Sequence, residues 1–204
     1  MTTAKRGLVA KREAILAAAR TVFAEYGCER AGVDMIAERA SVSTRTIYNH
    51  FDSKECLFAH VVAESTGRVA DALVGLISEH LDDVADLEKS LIELGTAWVR
   101  AKIDNAEHFS LVSHLNSDPA AASEELREAW DRDGPHRVHA AMGRAMGRLA
   151  ERGLLRVDDP LLAAEHLMAL TVGGQVAKVV AGTATVDTER ITAGVRAFLY
   201  GYAS

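Results

Sequence analysis

Along most of the chain the apolar residues recur at intervals of three and four. They show no sustained alternation and few Gly/Asn hairpin signals, which predicts an all-α protein. A first helix is expected from about Leu8 to Tyr26, with Ile15, Ala19, Phe23 and Tyr26 on one stripe and Gly27 as its stop. A short second helix, about Val33 to Ala40, carries Ile36, Ala37 and Ala40. Ser41-Val42-Ser43 turns the chain, and a third helix, Thr44 to His50, sends Ile47 inward together with Phe51. Asp52 and Ser53 are cap-type residues that open a fourth helix with Leu57, Phe58, Val61 and Val62 on its buried face. Beyond Gly67, helices are predicted at about 67–81, 86–104, 105–116, 119–132, 136–152, 160–181 and 187–202. Pro119, Pro135 and Pro160 all fall in the punctuation between them. Gly173-Gly174 inside 160–181 costs helix propensity and predicts a close helix approach or a kink. The expected organisation is a three-helix head, residues 1–52, with the start of a linking helix at 53–66, followed by a larger helical bundle over 67–204.

Residues 33–52, VDMIAERASVSTRTIYNHFD, have the layout of a helix-turn-helix, with small Ala37 where the helices cross and Val42 and Ile47 as apolar anchors. With Ile47 and Phe51 inward, Thr44, Arg45, Tyr48 and Asn49 lie on the opposite face, free to enter a DNA major groove. Arg can hold guanine O6/N7 and Asn can hold adenine N6/N7 with paired hydrogen bonds, while Thr can donate to an acceptor or touch a thymine methyl. Thr46, Tyr48, His50 and Lys54 flank that face with groups suited to phosphate oxygens.

Composition constrains the partners less than it first suggests. The 204 residues are 49% apolar and 25% charged, with a formal net charge of −6, which taken alone argues against nucleic acid. The charge is uneven, however: residues 1–60 hold nine Lys and Arg against seven Asp and Glu, a balance of +2, and the remainder carries −8. Lys5, Arg6, Lys11 and Arg12 form either a solubilising tail or a set of phosphate-neutralising groups. Two cysteines, Cys28 and Cys56, exclude a disulfide framework and are expected to be small packing residues rather than redox sensors. No signal peptide and no apolar run of membrane-spanning length is visible, so a cytoplasmic protein with no membrane partner is expected. His136-x-x-His139, with His108 and His114 farther off, lacks the converging ligands of a metal site, so neither metal nor cofactor is expected.

The head resembles the DNA-binding part of the TetR family of bacterial transcriptional regulators. The residues that carry the resemblance are Ile15, Ala18-Ala19, Phe23 and Gly27, then Ile36-Ala37, Ala40-Ser41-Val42-Ser43, Thr46-Ile47-Tyr48-Asn49-His50-Phe51-Asp52-Ser53-Lys54-Glu55 and Leu57-Phe58. The resemblance implies a homodimer of Ω-like helical subunits that binds double-stranded operator DNA, represses promoters, and releases DNA when a small-molecule effector enters the C-terminal part. It puts Thr44, Arg45 and Asn49 on bases and Thr46, Tyr48, His50 and Lys54 on phosphates. It also makes helices 160–181 and 187–202 the dimer interface. Two positions depart from the family pattern. Ser41 stands where glycine is usual, and Ala31-Gly32 stands where Thr or Ser commonly meets a phosphate, so that contact is absent here or is made by backbone N–H groups.

In the C-terminal part, Trp98, His108, Phe109, Trp130, His139, Met142, Met146, Met168 and Gln175 are the residue types that line apolar ligand pockets between helices, and equally the types that fill a core. The alternative function is a small helical-bundle enzyme or carrier using that cavity. Against catalysis, the sequence holds no Ser/His/Asp or Cys/His constellation, no P-loop, no G-x-G-x-x-G and no H-E-x-x-H.

Overall fold

The computed structural model describes residues 3–117 and 123–202, with side chains from Gly7 onward. Pro119, the predicted start of a helix, and the side chains of Lys5 and Arg6 lie outside the described residues. The described residues are all-α, and their contacts form two compact units, residues 1–66 with 107–130 and residues 67–106 with 131–204.

The first unit holds α1 (Thr3–Arg30), α2 (Val33–Arg39), α3 (Thr44–Tyr48), the first half of α4 (Lys54–Leu81), α6 (Ala106–Ser117) and α7 (Glu124–Asp131). Its core joins Ile15, Ala19 and Phe23 of α1 to Ile36 and Ala37 of α2, to Ile47 and Phe51, and to Leu57, Phe58, Val61 and Val62 of α4. Phe23 and Phe58 meet edge to face at 5.1 Å. Leu111 and Leu115 of α6 belong to the same core, and Leu126 and Trp130 pack against it, so α6 and α7 join the head by contact although the sequence reading grouped them with the C-terminal part. Polar ties fix α6 there as well. Glu107 accepts from Arg20 at 3.2 Å and from Thr21 at 3.0 Å, and the His114 ring donates to the Ala24 carbonyl at 3.2 Å.

The second unit holds the second half of α4, α5 (Leu87–Asp104), a π-helical turn (Arg132–His136) containing Pro135, α8 (Arg137–Glu151), α9 (Pro160–Val172), α10 (Gln175–Val180) and α11 (Thr188–Tyr202). Asp86 caps α5 and Asp159 caps α9, each accepting backbone N–H groups of the first turn. Arg137 pairs with Asp71, Arg148 with Asp82 and Arg196 with Glu88 across its helices.

Helix boundaries differ from expectation at several points. The chain does not break at Gly67: α4 is a single helix, because Val61, Val62, Val69, Ala70 and Leu73 form one buried stripe past a glycine whose propensity cost is only about 1 kcal/mol. The 160–181 segment does break, into α9 and α10. Gly173 leaves the helical region (φ −58, ψ 145) and Gly174 enters the left-handed one (φ 72). The third helix also ends earlier, at Tyr48 rather than His50.

The α9–α11 crossing depends on Gly194, where an added Cβ would fall against the Leu170 carbonyl oxygen and Thr171 Cα, both backbone. Gly194→Ala is therefore expected to lower stability by about 1–3 kcal/mol, and Gly75→Ala, whose Cβ would meet nothing within 4 Å, to raise it by about 0.5–1 kcal/mol. Urea unfolding of the two variants checks both signs.

Candidate nucleic-acid interface

Backbone geometry closes the turn between α2 and α3. After Ala40, Ser41 adopts φ 54, the Val42 N–H donates to the Ala37 carbonyl (2.9 Å), and the Ser41 N–H donates to that of Glu38 (3.1 Å). This pair of bonds is a Schellman motif, whose left-handed residue is usually glycine and whose apolar partners here are Val42 and Ala37. Ser43 then caps α3. Its hydroxyl accepts the Thr46 N–H at 3.1 Å and shares a hydrogen bond with the Thr46 hydroxyl at 2.9 Å.

Ile47 and Phe51 are each only 2% exposed, which turns the other face of α3 outward. Tyr48 is 52% exposed, Arg45 and Asn49 are exposed, and Thr44, Thr46 and His50 are half-buried. The Asn49 N–H donates to the Arg45 carbonyl at 3.0 Å, so the helical turn carries Asn49 onto the same side as Arg45 and Tyr48. Lys54 points elsewhere. Its Nζ donates to the carbonyl oxygens of Glu29 at 3.1 Å and Ala31 at 3.3 Å, next to the Ala31-Gly32 position. Arg12, left between tail and phosphate ligand by the sequence, sits with its guanidinium 5.2 Å from the centroid of the Phe51 ring. Phe51 meets His60 edge to face at 5.3 Å on α4.

The residues weighed for a pocket divide between the two units. In the first, the His108 Nδ1 lies 3.1 Å from the Ser65 hydroxyl, Phe109 stacks edge to face on His108, and Trp130 packs on the head core. In the second, Trp98 and Met168 line one small cavity with Leu91, Leu94, Gly95 and Thr171, of about 10 Å³, room for about one water molecule. Met142 and Met146 are core residues of α8, and His139 Nε2 lies 3.4 Å from Glu165. Gln175 is buried at the start of α10. Among the described residues its Oε1 and the Trp98 Nε1 have no hydrogen-bond partner. One turn past Trp98, burial pushes the Lys102 amine below its usual pKa. No group of three metal-ligating side chains occurs among the described residues.

A family model described as bacterial regulatory proteins, tetR family, matches residues 15–61. One described as AefR-like transcriptional repressor, C-terminal domain, matches residues 90–204. The chain belongs to the TetR family. It is a DNA-binding transcriptional regulator, and the first match falls on the helices that hold the motif. The transcriptional repressor AcnR of Corynebacterium efficiens is 26% identical over 87% of this chain and 86% of its own length. The transcriptional activator FasR of Mycolicibacterium smegmatis is 37% identical over 49% of this chain and 42% of its own. Among solved structures, a Mesorhizobium loti protein described as a TetR-family transcriptional regulator superposes with a TM-score of 0.80 at 25% identity, over 100% of both chains. Among the described residues no helix is long and apolar enough to cross a membrane.

The left-handed Ser41 carries a strain that glycine would not. Ser41→Gly is expected to keep the fold and to be neutral or stabilising by up to about 1 kcal/mol. A lower melting temperature in this variant would contradict the Schellman assignment.

Proposed function

We propose that this regulator is a repressor whose α3 reads an operator through Thr44, Arg45 and Asn49, with Thr46, Tyr48 and His50 on phosphates. The observation that carries the reading is the outward Arg45–Tyr48–Asn49 face held over buried Ile47 and Phe51. An arginine and an asparagine on one exposed turn supply the two bidentate base contacts that major-groove recognition uses most. A tyrosine half open to water presents its hydroxyl to the backbone of the duplex. Lys54 joins the phosphate set through its charge and its third donor, its other two N–H groups being held by carbonyl groups of the head. Repression rather than activation follows the AcnR likeness, which spans most of both chains, over the FasR likeness, which spans half of this one.

The protein acts as a homodimer in the cytoplasm. Leu161, Leu162 and Leu170 of α9 and Val176 and Val180 of α10 are exposed, and Tyr200 of α11 is almost fully so; an apolar surface of this kind on one group of helices favours a second copy as its cover. Two-fold symmetry would set the two α3 helices roughly 34 Å apart, one turn of a palindromic duplex. Effector recognition belongs to the seam between α5 and α9, where Trp98 and Met168 meet and Trp98 supplies an unpaired N–H.

Binding to the DNA upstream of the protein's own gene tests the interface. Tyr48→Ala is expected to weaken all duplexes by a similar factor, and Arg45→Ala to cost about 1–3 kcal/mol chiefly at one base position. Wild-type binding no tighter than to random duplex would end the specific-regulator reading. For the dimer, Leu170→Glu puts a charge into the apolar face and is expected to sediment as a folded monomer. A dimer of unchanged affinity would place the interface elsewhere.

A further inference from the structure

Contacts along α11 fix how α5 and α9 run. Glu88 pairs with Arg196 at 2.8 Å and a Cβ on Gly95 would fall against Ile191, so α5 and α11 are antiparallel. Gly194 lies against Leu170 and Thr171, and Arg190 donates to the Gly173 carbonyl at 2.9 Å, so α9 and α11 are antiparallel as well. α5 and α9 are therefore parallel, with Gly95 beside Thr171 and Val172 on the small seam cavity. Three residues further along each strand of the seam come Trp98, on α5, and Gln175, the first residue of α10, which packs against α5. They are 5% and 3% exposed. Trp98 Nε1 is a donor and Gln175 Oε1 an acceptor, and neither has a hydrogen-bond partner among the described residues. Two unpaired groups of opposite polarity at one level of an apolar seam are costly to the protein alone.

We propose that Trp98 and Gln175 are the head-group end of the effector site, and that the effector is an apolar molecule carrying a neutral hydroxyl. The assignment rests on the reading of the α5–α9 seam as the place where the effector binds. One hydroxyl oxygen can accept the Trp98 N–H and give its own hydrogen to Gln175 Oε1, so a single small group satisfies both. Other head groups leave an orphan. A hydrocarbon leaves two, a carboxylate has no hydrogen for Gln175, and an ammonium has no lone pair for Trp98. Lys102, one turn beyond Trp98 on the same face of α5, adds to the discrimination against cations. Burial already pushes its amine below the usual pKa, and a second positive charge nearby would add to that cost. Leu91, Leu94, Leu167 and Met168 offer apolar contact along the rest of the seam, which suits the body of such a ligand. Selectivity then comes from the penalty of leaving a buried group unpaired under the wrong head group.

Para-ethylphenol, para-ethyltoluene, para-ethylbenzoate and protonated para-ethylbenzylamine share one body and differ in the head group. Dissociation constants for the wild-type chain, read from the concentration dependence of its melting temperature, are expected to favour the phenol over each of the others by about tenfold or more. Gln175→Leu removes the acceptor. The preference for phenol over toluene should then fall to within about threefold, and the free variant should melt higher, because a buried oxygen without a partner is gone. Trp98→Phe keeps a ring without the N–H and should erode the same preference. Met168→Ala opens the seam without touching either polar atom, and should tighten phenol and toluene alike. Equal binding of phenol and toluene to wild type, both tightened by Met168→Ala, would keep the seam as the effector site and overturn the hydroxyl. Tightest binding of the benzoate overturns it in favour of Lys102 as the partner. A phenol preference that survives Gln175→Leu, or a lower melting temperature in that variant, gives Oε1 a packing role and also overturns the proposal. If no probe binds wild type or Met168→Ala, the seam and the hydroxyl fail together.

Discussion

The burial of Ile47 and Phe51 is the contact on which the rest of the head depends. A helix of five residues is far too short to persist alone, since fixing each residue costs about 1–2 kcal/mol and only one or two intrahelical bonds are gained in return. Two buried side chains at about 1.5–3 kcal/mol each, with the Ser43 cap, offset that cost, and only while they face the core of α1, α2 and α4. The same two residues therefore decide that α3 exists and which of its faces meets solvent. Arg12 over the Phe51 ring and His60 against its edge fix the second anchor from α1 and α4. The outward placement of Arg45, Tyr48 and Asn49 is thus a consequence of core packing, and under the proposed reading a variant that loosens Phe51 would lose selectivity with all three residues unchanged.

Charge sets what such a face has to accomplish. Residues 1–60, which hold the motif, have a balance of only +2 and release few counterions on binding, and the −8 of the remaining residues adds no attraction to phosphate. Long-range attraction is therefore a small share of the binding energy, and directed contacts must supply the remainder. Directed contacts lose strength quickly with misalignment, so a motif with so little net positive charge around it needs to be stiff. The Schellman turn at Ser41, the Ser43 cap and the Ala37 crossing meet that need within a stretch of seven residues.

The helix-turn-helix was legible in the sequence because its determinants are local: a cap, a left-handed turn, two apolar anchors and a change of helix length all lie within twenty residues. The glycines show where local reading stops. Gly67 and Gly173-Gly174 carry the same warning, yet α4 runs straight through the first and the chain breaks at the second. A single cost is outweighed by a continuous buried stripe, whereas a pair, one member at φ 72, leaves the helical region altogether. The packing of α6 on the head was not legible, since Leu111 and Leu115 read as any amphipathic stripe until their partners are known. Nor was the orientation of Lys54, whose partners are backbone carbonyls that leave no mark in a sequence. Trp98 and Met168 are two of nine residues whose type fits a core as well as a pocket, and nothing in their spacing tells that they line one cavity or how little room it holds.

That shortage of room bears on how an effector would act. A space of about 10 Å³ between α5 and α9 holds no organic molecule, so occupation of the seam requires the helices to part. Around it the packing has little slack: a Cβ at Gly95 would fall 2.8 Å from Ile191, and Gly194 lies directly under the α9 backbone. Binding and rearrangement of this unit are then a single event, and a ligand that fits only the parted form shifts the population by its full affinity for that form. The cost of parting the helices lowers the apparent affinity by the same amount. Were the seam the effector site, as proposed, sensitivity would be tied to packing at Gly95, Trp98 and Leu167: substitutions that loosen the seam would raise affinity for the effector and weaken the closed state together.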